Sequence, residues 1–159
     1  MNFGQAIGSF WTRYFDFQGR SSRSEYWWAV LFIVLLFIPL GIFEAIYAES
    51  TGVYYSWQRV PAFELLEFFL STATFIPLTS LAVRRLHDIS RSGWWCLLPT
   101  SCLLFLADAE IIYETQLVQD FSYVFFGLAL VGSNILLIVW ACLPGHKKNK
   151  FGNNPLTGK

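Results

Sequence analysis

Residues 121–145 read FSYVFFGLALVGSNILLIVWACLPG, 25 residues from Phe121 to Gly145 without one Asp, Glu, Lys or Arg. A bilayer hydrocarbon core is about 30 Å thick, and a helix needs about 20 apolar residues to cross it. This run meets that length alone, so the chain is expected to be an integral membrane protein. Three further uncharged runs lie upstream: Trp27 to Phe43 (17 residues), Phe68 to Val83 (16) and Trp94 to Ala107 (14). The first reaches spanning length over 26–47, with Glu44 near its outer end. The second does so over 61–83, with Pro61 suited to a first helical turn and Glu64 and Glu67 in its outer turns. The third is short. Fourteen residues rise only about 21 Å, so a full span must run over 94–112, past Asp108 and Glu110. Pro99 also removes one helical hydrogen bond and favours a kink. A re-entrant segment is the alternative there.

The rest of the composition agrees. The 159 residues are 55% hydrophobic and 14% charged, against about 25% charged in an ordinary soluble domain. A chain this apolar is not disordered. A formal net charge of zero argues against a nucleic-acid partner, and three Cys are too few for a disulfide scaffold. No cleavable leader is expected, because the first apolar run is too long for a signal h-region and no small-residue cleavage site follows it.

Charge placement gives the topology. Cytoplasmic loops of membrane proteins are enriched in Lys and Arg. Arg13, Arg20 and Arg23 precede the first run. Arg84, Arg85 and Arg91 lie between the second and third. Lys147, Lys148, Lys150 and Lys159 follow the fourth. The expectation is an all-α membrane protein with four transmembrane helices (26–47, 61–83, 94–112, 121–143), both termini cytoplasmic and a basic tail over 144–159. The inner side then carries ten cations against Asp16, Glu25 and Asp88. The outer side carries Arg59 against Glu44, Glu49, Glu64, Glu67, Asp108, Glu110, Glu114 and Asp120. The neutral total thus conceals a surplus of seven charges of opposite sign on each face. Upstream, Phe3, Ile7, Phe10, Trp11, Tyr14 and Phe15 recur at helical spacing. Residues 1–20 read as an amphipathic interfacial helix, or equally as a helix packed under the bundle. The whole, 1–159, reads as one membrane domain.

Two helix entries share their letters. Ser22-Arg23-Ser24-Glu25-Tyr26-Trp27-Trp28 opens the first span, and Ser90-Arg91-Ser92-Gly93-Trp94-Trp95 opens the third. Duplicated hairpins would produce this. So would convergence, since Arg suits cytoplasmic headgroups and Trp the interface, and the two halves otherwise align poorly. Ser22 with Glu25 fits a capping box. Arg20 and Arg23 face the positive end of a helix dipole, a placement that calls for a nearby anion such as a lipid phosphate.

Residues 17–27, FQGRSSRSEYW, resemble the opening motif of the DUF805 family, small bacterial membrane proteins of undetermined function. Residues 84–95, RRLHDISRSGWW, are similar to its central motif, and Asn149-Lys150-Phe151-Gly152-Asn153-Asn154-Pro155 to its closing pattern. Ile89-Ser90 departs from the family, where a small residue and Gly are usual. Lys147-Lys148 replaces a Gly-containing spacer. The resemblance implies a bacterial inner-membrane protein and marks Glu25, His87, Asp88, Gly93, Trp94, Asn149, Gly152 and Pro155 as motif residues. It implies no activity.

The central loop packs Arg84, Arg85, His87, Asp88 and Arg91 into eight residues. If the second helix continues through it, Arg84 and Asp88 form an i,i+4 pair, as do His87 and Arg91. One reading is a structural ion network. Another has Arg20, Arg23, Arg84, Arg85 and Arg91 converging on an oxyanion, for which the planar guanidinium is suited. The membrane lipids, anionic phospholipid among them, are then the expected partners, with a membrane protein or a second copy as further candidates. A His87–Asp88 catalytic pair is disfavoured, because neighbouring helical residues diverge and no Ser or Cys nucleophile motif accompanies them. Cys96, Cys102 and Cys142 read as small apolar residues. No cofactor or metal site is expected. The alternative function is a small transporter or cation channel, with the acidic outer residues as a vestibule and Pro39 and Pro77 at broken-helix sites.

Overall fold

The computed structural model describes residues 1–51, 61–112, 116–146 and 148–153. They form α1 (Phe3–Thr12), α2 (Arg23–Thr51), α3 (Pro61–Asp88), a 3₁₀ turn (Gly93–Cys96), α4 (Leu97–Ile112), α5 (Gln116–Cys142) and a two-residue ladder of β1 (Lys148–Asn149) and β2 (Gly152–Asn153). Among the described residues, three helices are long and apolar enough to cross a membrane: Arg23–Ser50, Leu65–Asp88 and Asp120–Cys142, with mean hydropathies of 2.7, 1.5 and 2.2. Their apolar side chains face outward. Leu35, Ile38, Ile42 and Ile46 of α2 and Val124, Leu128 and Val131 of α5 are all more than half exposed. Continuous apolar surface on this scale is untenable in water and is what lipid tails require.

The chain forms two compact units, Met1–Phe17 with Ser24–Leu81, and Gln18–Arg23 with Ala82–Lys159. In the first, Asn2 caps α1. Its Oδ1 accepts from Gln5 N at 2.9 Å, and Gln5 Oε1 accepts from Asn2 N at 3.2 Å, a reciprocal box that the sequence reading does not anticipate. Ala6 and Phe10, one turn apart, are buried, and Phe10 joins Ala29 and Leu81 in a core edged by Tyr26, Phe32, Ile33 and Leu78. Ser9 Oγ donates to Glu25 Oε1 at 2.7 Å, and Tyr14 Oη donates to Ala73 O at 2.8 Å. So α1 packs on α2 and α3 through one face, while Trp11 and Phe15 beyond it stay exposed. It ends at Thr12, short of the expected Tyr14 and Phe15. Ser22 precedes the first residue of α2 and Glu25 is its third, the positions of a capping box. Helices α2 and α3 run unbroken through Pro39 and Pro77.

In the second unit, α3 extends five residues beyond the expected Val83, to Asp88. It closes with Ser90 N donating to His87 O at 3.0 Å and Arg91 N to Leu86 O at 2.9 Å. This is the Schellman pattern, with Ser90 at the left-handed position, φ 62°. The chain then enters the 3₁₀ turn, where Ser92 caps Trp94 and a Cβ on Gly93 would stand 2.5 Å from Val83 Cγ1. Pro99 is the third residue of α4. Its missing N–H is there one of the groups that a first turn leaves unbonded anyway, and α4 continues past it to Ile112. Ring contacts pair Trp95 with Trp140 (5.3 Å) and Phe105 with Phe126 (4.8 Å), so α4 and α5 are antiparallel neighbours. Leu86, Ile89 and Cys96 form the core here, with Leu137 and Trp140 against it. Cys96 and Cys102 are buried and Cys142 is exposed, all as free thiols. The two Ser-Arg-Ser entries differ locally. The first opens directly into an α-helix and the second into a 3₁₀ turn, a difference that favours convergence over duplication.

Ser90 makes a prediction. The left-handed conformation costs a non-glycine residue roughly 1–2 kcal/mol, more than the extra chain entropy of about 0.5–1 kcal/mol that glycine loses. Ser90→Gly is expected to raise the thermal unfolding midpoint in detergent, followed by Trp fluorescence, and Ser90→Val to lower it. A lower midpoint for the glycine variant would contradict strain at Ser90.

Candidate functional site

Among the described residues the largest fully buried side chains are Arg84 and Arg85, not apolar ones. They stand on the last two turns of α3, above Asp88. The Asp88 carboxylate holds two guanidinium groups. Oδ1 accepts from Arg20 Nε at 2.8 Å and Arg20 Nη2 at 2.6 Å, and Oδ2 accepts from Arg85 Nη1. The three side chains are 1–5% exposed. One carboxylate cannot saturate two guanidinium forks, which carry five N–H donors each. Main-chain carbonyls take the rest. Arg20 donates to Gly152 O at 3.0 Å and to His146 O. Arg85 donates to Ala141 O at 3.1 Å, Ser21 O at 3.4 Å and Leu143 O. Ala141 and Leu143 lie at the C-terminal end of α5, where carbonyls lack helical partners and the helix dipole presents about half a negative charge. Asp88 supplies the anion for which Arg20 calls, and the helix end takes the remaining donors of Arg85. Arg23 Nη1 adds a long contact of 3.5 Å to Cys142 O between them.

The tail closes the site. His146 N and Asn149 Nδ2 both donate to Asp88 O, at 3.0 and 3.3 Å, and Asn149 Nδ2 also reaches His87 O at 2.8 Å. Asn149 Oδ1 accepts from Phe151 N at 3.0 Å. That bond sets the tight β1–β2 turn and lays the Phe151 ring flat on the His87 imidazole, 3.9 Å apart and 5° from parallel. His87 Nδ1 lies 3.2 Å from Gly19 O. Gly152 has φ +124°, a conformation open to glycine and strained for other residues, and this bend aims its carbonyl at Arg20. Gly145 passes so close to the Asp88 carboxylate that a Cβ there would overlap it.

The three sequence motifs therefore meet at one point, residues 19–21 from the first, 84–91 from the second and 149–152 from the third. The arrangement corrects several expectations. Asp88 pairs with Arg85, three residues back, and with Arg20, 68 residues back; it is Arg85, not Arg84, that it holds on its own helix. Arg91 lies beyond the end of α3, so it does not pair with His87. Its guanidinium sits over the Trp140 ring at 5.0 Å. The five arginines do not form one outward set. Arg20, Arg84 and Arg85 are buried, whereas Arg23 and Arg91 are exposed. Glu25 is buried and accepts from Ser9 Oγ. Trp94 is 77% exposed. Pro155, Lys159, Arg59, Glu114 and Lys147 fall outside the described residues, as do the side chains of Glu64, Asp108, Glu110 and Lys148. Sequence reasoning missed Ser21 and His146, whose carbonyls accept from Arg85 and Arg20, and Gly145, whose lack of a Cβ makes room for Asp88. Among the described residues no group of His, Cys, Asp and Glu could hold a metal ion.

Removing one partner of a buried ion pair strands the other and costs about 3–5 kcal/mol. Asp88→Asn, which strands two, is expected to lower the unfolding midpoint in detergent far more than Arg23→Gln. It should also expose the Lys148 and Lys150 bonds to trypsin. Equal midpoints and an uncut tail would show that the node is not what holds the tail.

The pattern of these residues has relatives. The family described as "Protein of unknown function (DUF805)" matches residues 14–153. Inner membrane protein YhaI of Escherichia coli (strain K12) is 28% identical over 145 residues, 91% of this chain and 90% of its own length. Inner membrane protein YhaH of the same strain is 34% identical over 85 residues, 54% of this chain and 64% of its own length. No solved structure matches the chain. This chain belongs to the DUF805 family.

Proposed function

From this membership we propose that the protein is a four-span inner-membrane binding module, with both termini in the cytoplasm, that engages anionic lipid headgroups through Arg23 and Arg91. The observation that carries the reading is the sorting of the arginines. Arg20 and Arg85 are consumed by Asp88 and by carbonyls, which leaves the exposed Arg23 and Arg91 as the outward cations of the two helix entries. Each is followed along the chain by two exposed tryptophans, Trp27 and Trp28 at 37%, and Trp94 and Trp95 at 77% and 40%. Indole rings settle at the headgroup level, and a guanidinium at that depth binds a phosphate through two parallel hydrogen bonds.

The topology rests on α4 and on charge. Sixteen residues of α-helix and four of 3₁₀ helix rise about 32 Å together, a bilayer core's thickness, and α4 runs antiparallel beside the spanning α5. Both facts favour a fourth span over a re-entrant loop. With four spans, ten of the eleven Lys and Arg fall on the cytoplasmic side. In this reading α1 lies at the inner interface, with its Ala6–Phe10 face on α2 and α3 and Trp11 and Phe15 toward headgroups.

A basic residue near an anionic surface contributes about 1 kcal/mol, so losing both arginines should weaken retention of anionic lipid by about 30-fold. The measurement is native mass spectrometry of protein exchanged into phosphatidylcholine nanodiscs doped with phosphatidylglycerol. Arg23→Gln with Arg91→Gln should lose the preference for phosphatidylglycerol while the unfolding midpoint stays near that of the parent. A preference that survives both substitutions would sink the headgroup reading.

A further inference from the structure

Helix α5 carries an exposed carboxamide inside its apolar segment. Asn134 lies eight residues from the Cys142 end of the apolar segment Asp120–Cys142, about 12 Å along the axis and well inside a bilayer core. Its side chain is exposed, not turned into the protein. Nδ2 donates to Leu130 O one turn back at 2.9 Å. The second amide hydrogen and Oδ1 have no partner among the described residues. Its neighbours on the same face, Val131 and Ile138, are 57% and 50% exposed. One turn further, a Cβ on Gly127 would meet nothing within 4 Å. Lipid tails offer neither donor nor acceptor, so a bare carboxamide at this depth is costly.

We propose that the Asn134 face of α5 docks against the same face of a second copy of this chain, and that the two Asn134 carboxamides pair across the dimer axis. The amide side chain alone selects this occupant. It presents one free N–H and one free C=O, so it is its own complement, and two copies related by a twofold axis satisfy each other with two N–H···O bonds. Chains inserted in one membrane share an orientation, so a twofold axis along the membrane normal brings parallel α5 helices together at equal depth. A twofold contact uses one patch on both subunits, and a single buried Asn is a known device for fixing register between paired helices. Val131 and Ile138, one turn to either side, supply apolar packing, and the open surface at Gly127 lets the backbones approach. The inference is independent of headgroup binding, since neither Arg23 nor Arg91 takes part.

The test is dimer formation of the full chain in liposomes, read by energy transfer between labelled copies as the protein is diluted in lipid. The parent should associate, Asn134→Leu should weaken association by about 5- to 30-fold, and Asn134→Gln should restore most of it. A second readout needs no change at Asn134. With Cys96, Cys102 and Cys142 replaced by Ala, Val131→Cys or Ile138→Cys should form a disulfide-linked dimer in native membranes. Phe125→Cys, similarly exposed at 55% but about 180° around the helix from Asn134, should not. A monomer at every dilution, an Asn134→Leu variant that associates like the parent, or cross-linking as efficient at 125 as at 131 and 138 would each overturn the proposal.

Discussion

The second unit is organised around one negative charge. A carboxylate buried with two guanidiniums is tolerable only if every remaining donor is satisfied, and Asp88 lacks the lone pairs to do this alone. The additional acceptors are main-chain carbonyls, and carbonyls belong to segments rather than to side chains. Meeting the demand fixes where those segments run: the loop at Ser21, the end of α5 at Ala141 and Leu143, and the tail at His146 and Gly152. A surplus guanidinium charge then faces the negative end of α5, where helix and cation each supply what the other lacks. Apolar packing, which organises most soluble domains, has a smaller part. Between helices in lipid there is little hydrophobic difference to exploit.

The second unit also explains a choice that distinguishes this chain from the usual pattern of its family. The position after Ile89 must be left-handed for the helix to end in time for Arg91 to reach Trp140. Glycine adopts that conformation freely. Ser90 does so under strain, and its hydroxyl lies 3.3 Å from His146 Nδ1, a side-chain contact glycine would lack.

Much of this was legible in the chain of letters, and the division has a physical basis. Long uncharged runs place α2, α3 and α5, because spanning length is a one-dimensional property. Pro61 and the Ser-Arg-Ser entries place boundaries, because capping is local. The motif segments mark the node. What the letters do not reveal is who pairs with whom. Local spacing suggested Arg84 with Asp88, yet the partners are Arg85 and a residue 68 positions away, and no periodicity encodes a contact at that distance. The place of Pro99 in the first turn of α4 was not legible either, because it depends on where the 3₁₀ turn gives way to α4. The carbonyl acceptors were invisible in principle, since every residue carries one.

The bond from Arg20 to Gly152 spans 132 positions of the chain. Its consequence is temporal. A ribosome delivers Arg20 long before Gly152, so the arginine can meet Asp88 while its carbonyl acceptors at His146 and Gly152 are still to be made. The apolar segments are threaded into the bilayer during that interval, and the node can close only afterwards, when the tail arrives. Insertion and locking are thus separable, since the Arg20 bonds to His146 and Gly152 depend on residues that follow the last apolar segment.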